Sequence, residues 1–192
     1  MLPLKKRPYR GNTYSVSKRL KKVERLARSN KPEIKSITFV AAGTITTASK
    51  FVNVDCTNIA EGTKANERVG DQILIHRIEV RGLIDPDIDA HILKCYSSSK
   101  PTDANYTSGI GTFLLDSEIH SKFREILHYR NGTSIEDFNS TFSVNRKLGY
   151  KCYYNGSGAG TAQRGGTIVS LISRNSSDKN YAFTVRLYYS DA

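Results

Sequence analysis

The sequence predicts an all-β fold, an antiparallel sandwich of seven or eight strands behind a basic, partly helical N-terminal arm. Three observations lead there. Apolar residues recur with a period of two in three long segments, the mark of strands with one buried face. Turn-rich pieces separate these and shorter candidate strands with little helix between them, which points to antiparallel pairing and away from βαβ units. Positive charge is gathered at one end. Of 29 Lys/Arg and 18 Asp/Glu, residues 1–35 hold twelve and two, so 17 and 16 remain for the other 157 positions. A concentrated cationic segment ahead of a nearly neutral body is suited to holding a polyanion without charging the core.

The arm comes first. Pro3, Pro8, Gly11 and many charges leave residues 1–14 too little apolar surface to offset ordering, so this stretch is expected to be flexible when free. From 16 to 27 the pattern changes: Val16, Leu20, Val23 and Ala27 share one helical face, and Lys18, Arg19, Lys21, Lys22, Arg25 and Arg28 cover the rest. Ser15 or Ser17 can cap this basic amphipathic helix, and Pro32 helps to end it. A boundary near residue 33 divides the chain into an arm, 1–33, and a body, 34–192. The body is long enough to close a core without disulfides or metal.

Strands follow. Candidates lie at 34–41 and 44–54. In 72–84, Leu74, Ile78, Val80 and Ile84 fall on one face with His76 and Gly82, and Arg77, Glu79 and Arg81 on the other. Another candidate spans 88–96. Leu115, Ile119, Phe123, Ile126 and Leu127 have helical spacing behind Asp116 or Ser117, giving one short helix, with an edge strand around Ile126 as the alternative. In 141–154, Phe142, Val144, Leu148, Tyr150, Cys152 and Tyr154 are in phase, and 155–166 is a glycine-rich loop. A strand at 167–173 precedes the cleanest alternation, in which Tyr181, Phe183, Val185, Leu187 and Tyr189 interleave with Ala182, Thr184, Arg186, Tyr188 and Ser190.

Reactive constellations are missing from this sequence, so no enzyme is expected. The glycine run 155–160 lacks the spacing and the Lys-Ser/Thr of a phosphate-binding loop, and there is no Gly-x-Ser-x-Gly elbow. Cys56, Cys95 and Cys152 are an odd number at no ligand spacing and read as buried thiols. His76, His91, His120 and His128 form no His-x-x-x-His pair and read as packed or surface imidazoles. Asp85, Asp87 and Asp89 alternate like calcium-binding oxygens but lack the glycine and distal glutamate of an EF-hand; with Pro86 among them they read as a turn, and a structural divalent cation is the lesser reading. No cofactor is expected. Neither a signal-length apolar stretch nor a membrane-length run occurs, so a soluble protein with no membrane partner is expected.

The arm then carries the chemistry. Lys5, Lys6, Arg7, Arg10, Lys18, Arg19, Lys21, Lys22, Arg25 and Arg28 are the expected nucleic-acid-binding residues, contacting phosphates without regard to sequence and with strong salt dependence. Tyr9 and Tyr14 could stack on the bases of single strands.

The stretch Glu67-Arg68-Val69-Gly70-Asp71-Gln72-Ile73-Leu74-Ile75-His76-Arg77-Ile78-Glu79-Val80-Arg81-Gly82, in its Arg-x-Gly-Asp-Gln approach and Val-Arg-Gly exit, resembles the start of the second main strand in small icosahedral virus coat proteins. These are the coat protein of satellite tobacco necrosis virus and the capsid proteins of circular, Rep-encoding single-stranded DNA viruses. The final Tyr188-Tyr189-Ser190-Asp191-Ala192 is similar to the ending of the former. The resemblance covers about sixteen residues and the tail, with little identity elsewhere.

It implies an eight-stranded jelly-roll sandwich, self-assembly into a T=1 shell of sixty copies, and arms facing inward onto a single-stranded genome. Sixty arms at +10 would bring roughly 600 positive charges inside, enough to neutralise much of a genome of about one to two kilobases. On this reading the protein resides in the virion. The nuclear-localisation-like runs 5–7 and 18–22 favour passage through a host nucleus and DNA over RNA. The alternative is a cellular single-stranded nucleic-acid-binding protein with a β-barrel body, which should carry cations and aromatics on one strand face.

Overall fold

A computed structural model describes residues 19–23, 32–102, 106–109, 112–115, 121–130, 140–156, 160–174 and 177–192. The chain divides into two units, Met1–Pro32 and Glu33–Ala192. In the first, residues 19–23 are helical and exposed. No helix among the described residues is long and apolar enough to cross a membrane.

The second unit is almost entirely strand. Its elements are β1 (Lys35–Ile45), β2 (Phe51–Asp55), β3 (Gln72–Ile84), β4 (Ile88–Cys95), β5 (Tyr106–Gly109), β6 (Thr112–Leu115), β7 (Phe123–Arg130), β8 (Ser140–Tyr154), β9 (Ala162–Arg164), β10 (Gly166–Ser173) and β11 (Lys179–Asp191). They form two antiparallel sheets, ordered β1-β11-β3-β8-β9 and β2-β10-β4-β7, with β5 and β6 as a separate pair. Thus an all-β sandwich forms as expected, with more strands than the seven or eight anticipated. The extra elements are β5, β6 and β9, of three or four residues each.

Alternation decides which side chains go inside. The five-stranded sheet turns Ile73, Ile75, Ile78, Val80 and Ile84 of β3, Phe142 and Val144 of β8, and Phe183, Val185, Leu187 and Tyr189 of β11 into one core. The four-stranded sheet meets them with Ile88, Ala90 and Ile92 of β4 and Val169 and Leu171 of β10. Packing two such apolar faces is what stabilises a sandwich. Gly82 sits in this layer opposite Phe183; a Cβ there would lie 2.3 Å from the Ala182 carbonyl oxygen and 2.4 Å from Phe183 Cα, so the close backbone approach requires glycine.

Three sequence expectations are corrected. In the segment 115–127 the edge-strand alternative replaces the expected helix: Phe123, Ile126 and Leu127 lie on β7, at the edge of its sheet and paired with β4, while Asp116, Ser117 and Ile119 lie outside the described residues. Between Leu93↔Glu125 and Ile92↔Leu127 the register slips, leaving Ile126 as an extra residue in a bulge. That insertion turns a period of two into the three-and-four spacing that mimics a helix. On β3, His76 is the extra residue between Tyr188↔Arg77 and Tyr189↔Ile75. The face therefore switches there, and Ile73 and Ile75 are buried where Leu74 was expected. Finally, 44–54 is two elements, the end of β1 and β2, with Ser49 N–H donating to Thr46 O in the turn between them.

Candidate nucleic-acid interface

Of the ten expected nucleic-acid-binding residues, Arg19, Lys21 and Lys22 fall in the described helical turn, all exposed, with Leu20 and Val23 also 56 and 64 % exposed. Their cations are therefore open to an anion. Lys5, Lys6, Arg7, Arg10, Lys18, Arg25 and Arg28 lie outside the described residues, as do Tyr9, Tyr14, Val16 and Ala27.

Within the body, the outer face of the five-stranded sheet is polar and mainly basic. Arg81 and Arg186 stand exposed across β3 and β11, flanking Glu79 and Thr184 around a shallow recess of about 170 Å³. Arg77 is committed locally: its guanidinium lies 2.7 Å from Glu79 Oε1 and stacks over Tyr188, 4.2 Å from the ring centre. Tyr188 donates its hydroxyl to Glu79 Oε2 at 3.1 Å.

The Arg-x-Gly-Asp approach is structural. Arg68 is wholly buried. Its Nε donates to Ile59 O at 3.2 Å, one terminal nitrogen to Gly70 O and the other to Gly156 O at 3.0 Å. The guanidinium also lies over Tyr154 at 4.2 Å, and Glu61 and Asp71 each stand 3.7 Å from it. One planar fork thus ties the β2–β3 connection to the β8–β9 loop. Gly70 accepts this bond with φ of +81°, a conformation that favours glycine. Asp191, near the chain's end, accepts from Val69 N–H at 2.8 Å and pairs with Lys35 at 2.7 Å, while Lys35 also donates to Glu67 O. The start of β1, the end of β11 and the approach to β3 are held at one point.

The three alternating aspartates close a turn. Asp85-Pro86-Asp87-Ile88 has an Ile88 N–H to Asp85 O bond and φ of +70° at Asp87, the arrangement Pro then Asp tolerates. Asp85 accepts from Asn180 N–H, Asp87 faces Lys179 at 3.5 Å, and buried Asp89 faces Arg174 at 3.2 Å. The three carboxylates thus answer three different groups of the chain.

Spacing gave no sign of the cluster His91, Glu125 and His128, which the β4–β7 pairing brings together from distant positions. Their candidate ligand atoms lie within 4.8 Å of one another. His91 Nδ1 is 2.6 Å from Glu125 Oε1, and the two imidazoles stack at 4.3 Å with 10° between planes. Imidazole lone pairs lie in the ring plane, so two near-parallel stacked rings direct theirs along separate planes and do not converge on one ion. Burial first, then proximity to His91, holds the His128 imidazole below its ordinary 6.5.

All three cysteines are buried and free. Burial pushes the Cys95 and Cys152 thiols up to about 12, which keeps them protonated and poorly nucleophilic. No protein-family model matches the chain, and a search of curated proteins finds no match.

Proposed function

We propose that this is a viral capsid protein, which assembles into a small T=1 icosahedral shell and packages a single-stranded genome through its basic N-terminal arm. The observation that carries the reading is the strand order. The main strands run β1-β11-β3-β8 in one sheet and β2-β10-β4-β7 in the other, an order that supports an eight-stranded jelly roll built from two Greek keys. Capsid subunits use this fold, and so do lectins and cupins, so the fold alone does not select among them. Selection comes from the charge: residues 1–35, up to the first residue of β1, carry a net +10, while the remainder of the chain is almost balanced. Arg19, Lys21 and Lys22, exposed on one helical turn, suit phosphate contacts that read no sequence. On this reading the folded unit has no part in catalysis.

A cellular single-strand binder is the second reading, favoured by Arg77 stacked on Tyr188 on an outer sheet face. Self-assembly separates the two. Negative-stain microscopy of the expressed protein, with the 260/280 nm absorbance ratio of the same fraction, should show uniform small shells containing nucleic acid. Deleting residues 1–30 should leave a folded body that no longer packages it. Monomers or small oligomers that persist with nucleic acid present would overturn the capsid reading, and packaging retained by the deletion would overturn the arm's role.

A further inference from the structure

The edge of the sandwich where β4 and β7 face β8 and β9 gathers five cations with little to answer them. Lys94 of β4 stands between two clefts. One, of about 290 Å³, is shared with Arg124 of β7 and Lys147 of β8; the other, of about 210 Å³, with Lys151 of β8 and Arg164 of β9. Arg124, Lys147, Lys151 and Arg164 are exposed. None of the five belongs to an ion pair among the described residues. Glu125 is the one carboxylate among the described residues lining the clefts, and its Oε1 is held against His91.

Tyrosines accompany the cations. Lys94 Nζ lies 4.4 Å from the centre of the Tyr150 ring and 5.4 Å from that of Tyr96, and Tyr153 lines the second cleft. Burial, then Arg124 and Arg164, hold the Lys94 ammonium below its ordinary value, consistent with cations that repel one another. Other charges of the body are answered in pairs, such as Lys35 with Asp191 and Arg77 with Glu79. A concave group of clustered cations with half-buried aromatic rings has the chemistry of a phosphate-backbone site with stacking platforms.

We infer that this double cleft is a second nucleic-acid site, on the folded body, binding the phosphates of a single strand with Tyr96 and Tyr153 available to stack on its bases. The inference rests on the nucleic-acid-packaging reading but is separable from it, because it assigns binding to residues outside the arm. Fluorescent oligothymidylate is titrated into the full-length protein over a range of salt for the native chain and for Lys151→Gln/Arg164→Gln. Ultraviolet crosslinks are mapped by mass spectrometry. Losing two phosphate contacts should lower the slope of log K against log salt by about 1.4, at roughly 0.7 per contact for a single strand, and crosslinks should fall on Tyr96 or Tyr153.

An unchanged slope with no crosslink at either tyrosine, while the native chain still binds, overturns the cleft and leaves the arm reading intact. A native chain that binds no oligonucleotide overturns both. Loss of heparin binding in the variant with oligonucleotide binding unchanged reassigns the cleft to a sulfated polysaccharide and overturns the inference. Arg124→Gln/Lys147→Gln, in the neighbouring cleft, serves as the second variant should the first lose its native thermal transition.

Discussion

Arg68 shows how one buried charge can organise a loop-rich edge. It is wholly buried and spends its guanidinium on three backbone carbonyls, those of Ile59, Gly70 and Gly156, from two separate connections. The Ile59 carbonyl is buried and would otherwise lack a donor, and an unsatisfied buried acceptor is expensive. Truncation by Arg68→Ala should therefore cost about 1–3 kcal/mol, read as a lower midpoint in urea denaturation. Arg68→Lys should recover only part of this, because a point ammonium cannot span the three directions of the fork. A loss under about 1 kcal/mol for the alanine variant would mean that water or relaxed loops replace the arginine. The motif that carried the family resemblance thus has a local physical role independent of any assembly.

Strands show why some of the fold was legible and some was not. β11 reads directly, because Phe183, Val185, Leu187 and Tyr189 are buried in strict alternation. β4 and β10 are buried along nearly every residue, so both faces are covered and alternation fades into an apolar run. β7 reads as a helix because the Ile126 bulge breaks its period, and the His76 bulge moves the core face of β3 by one residue. The basic arm residues are visible in composition alone, whereas the His91–His128 stack and the Lys94 clefts arise from pairings that no local spacing encodes. The stack also makes β4–β7 sensitive to acid. His128 resists its proton through burial and through His91, and Arg130 adds to this, while Asp89 and Glu125 oppose it. Above about pH 7 both folded and unfolded rings are neutral and the linkage vanishes. As pH falls through 6.5 the unfolded chain takes up a proton that the folded chain resists, so stability declines until the lowered folded value is passed. The side chain keeps 21 % of its surface exposed, so solvent screening keeps the effect small, a slight fall in thermal midpoint between pH 7 and 5. His128→Gln should flatten that decline; an identical pH profile for the variant would assign the acid sensitivity to other groups.

At the scale of the whole molecule, positive charge is gathered in residues 1–35, which on the proposed reading separates the demands of genome binding from those of folding. Residues 36–192 keep 17 cations against 16 acids, several of them joined in internal pairs such as Arg174–Asp89 and Lys179–Asp87. Residues 1–35 carry the net +10. Replacing Lys18, Arg19, Lys21 and Lys22 by Gln removes four of those ten charges. In a sixty-copy shell this lowers the interior charge from roughly 600 to roughly 360, and non-specific packaging set by counterion release should fall with it. The nucleic acid extracted per shell is expected to drop by about four tenths, while the thermal midpoint of the body stays where it was. Packaging that holds constant would assign genome retention to the body, where the Lys94 clefts would have to carry it. Packaging that falls together with the thermal midpoint would show that arm and body are coupled in folding, contrary to the charge partition.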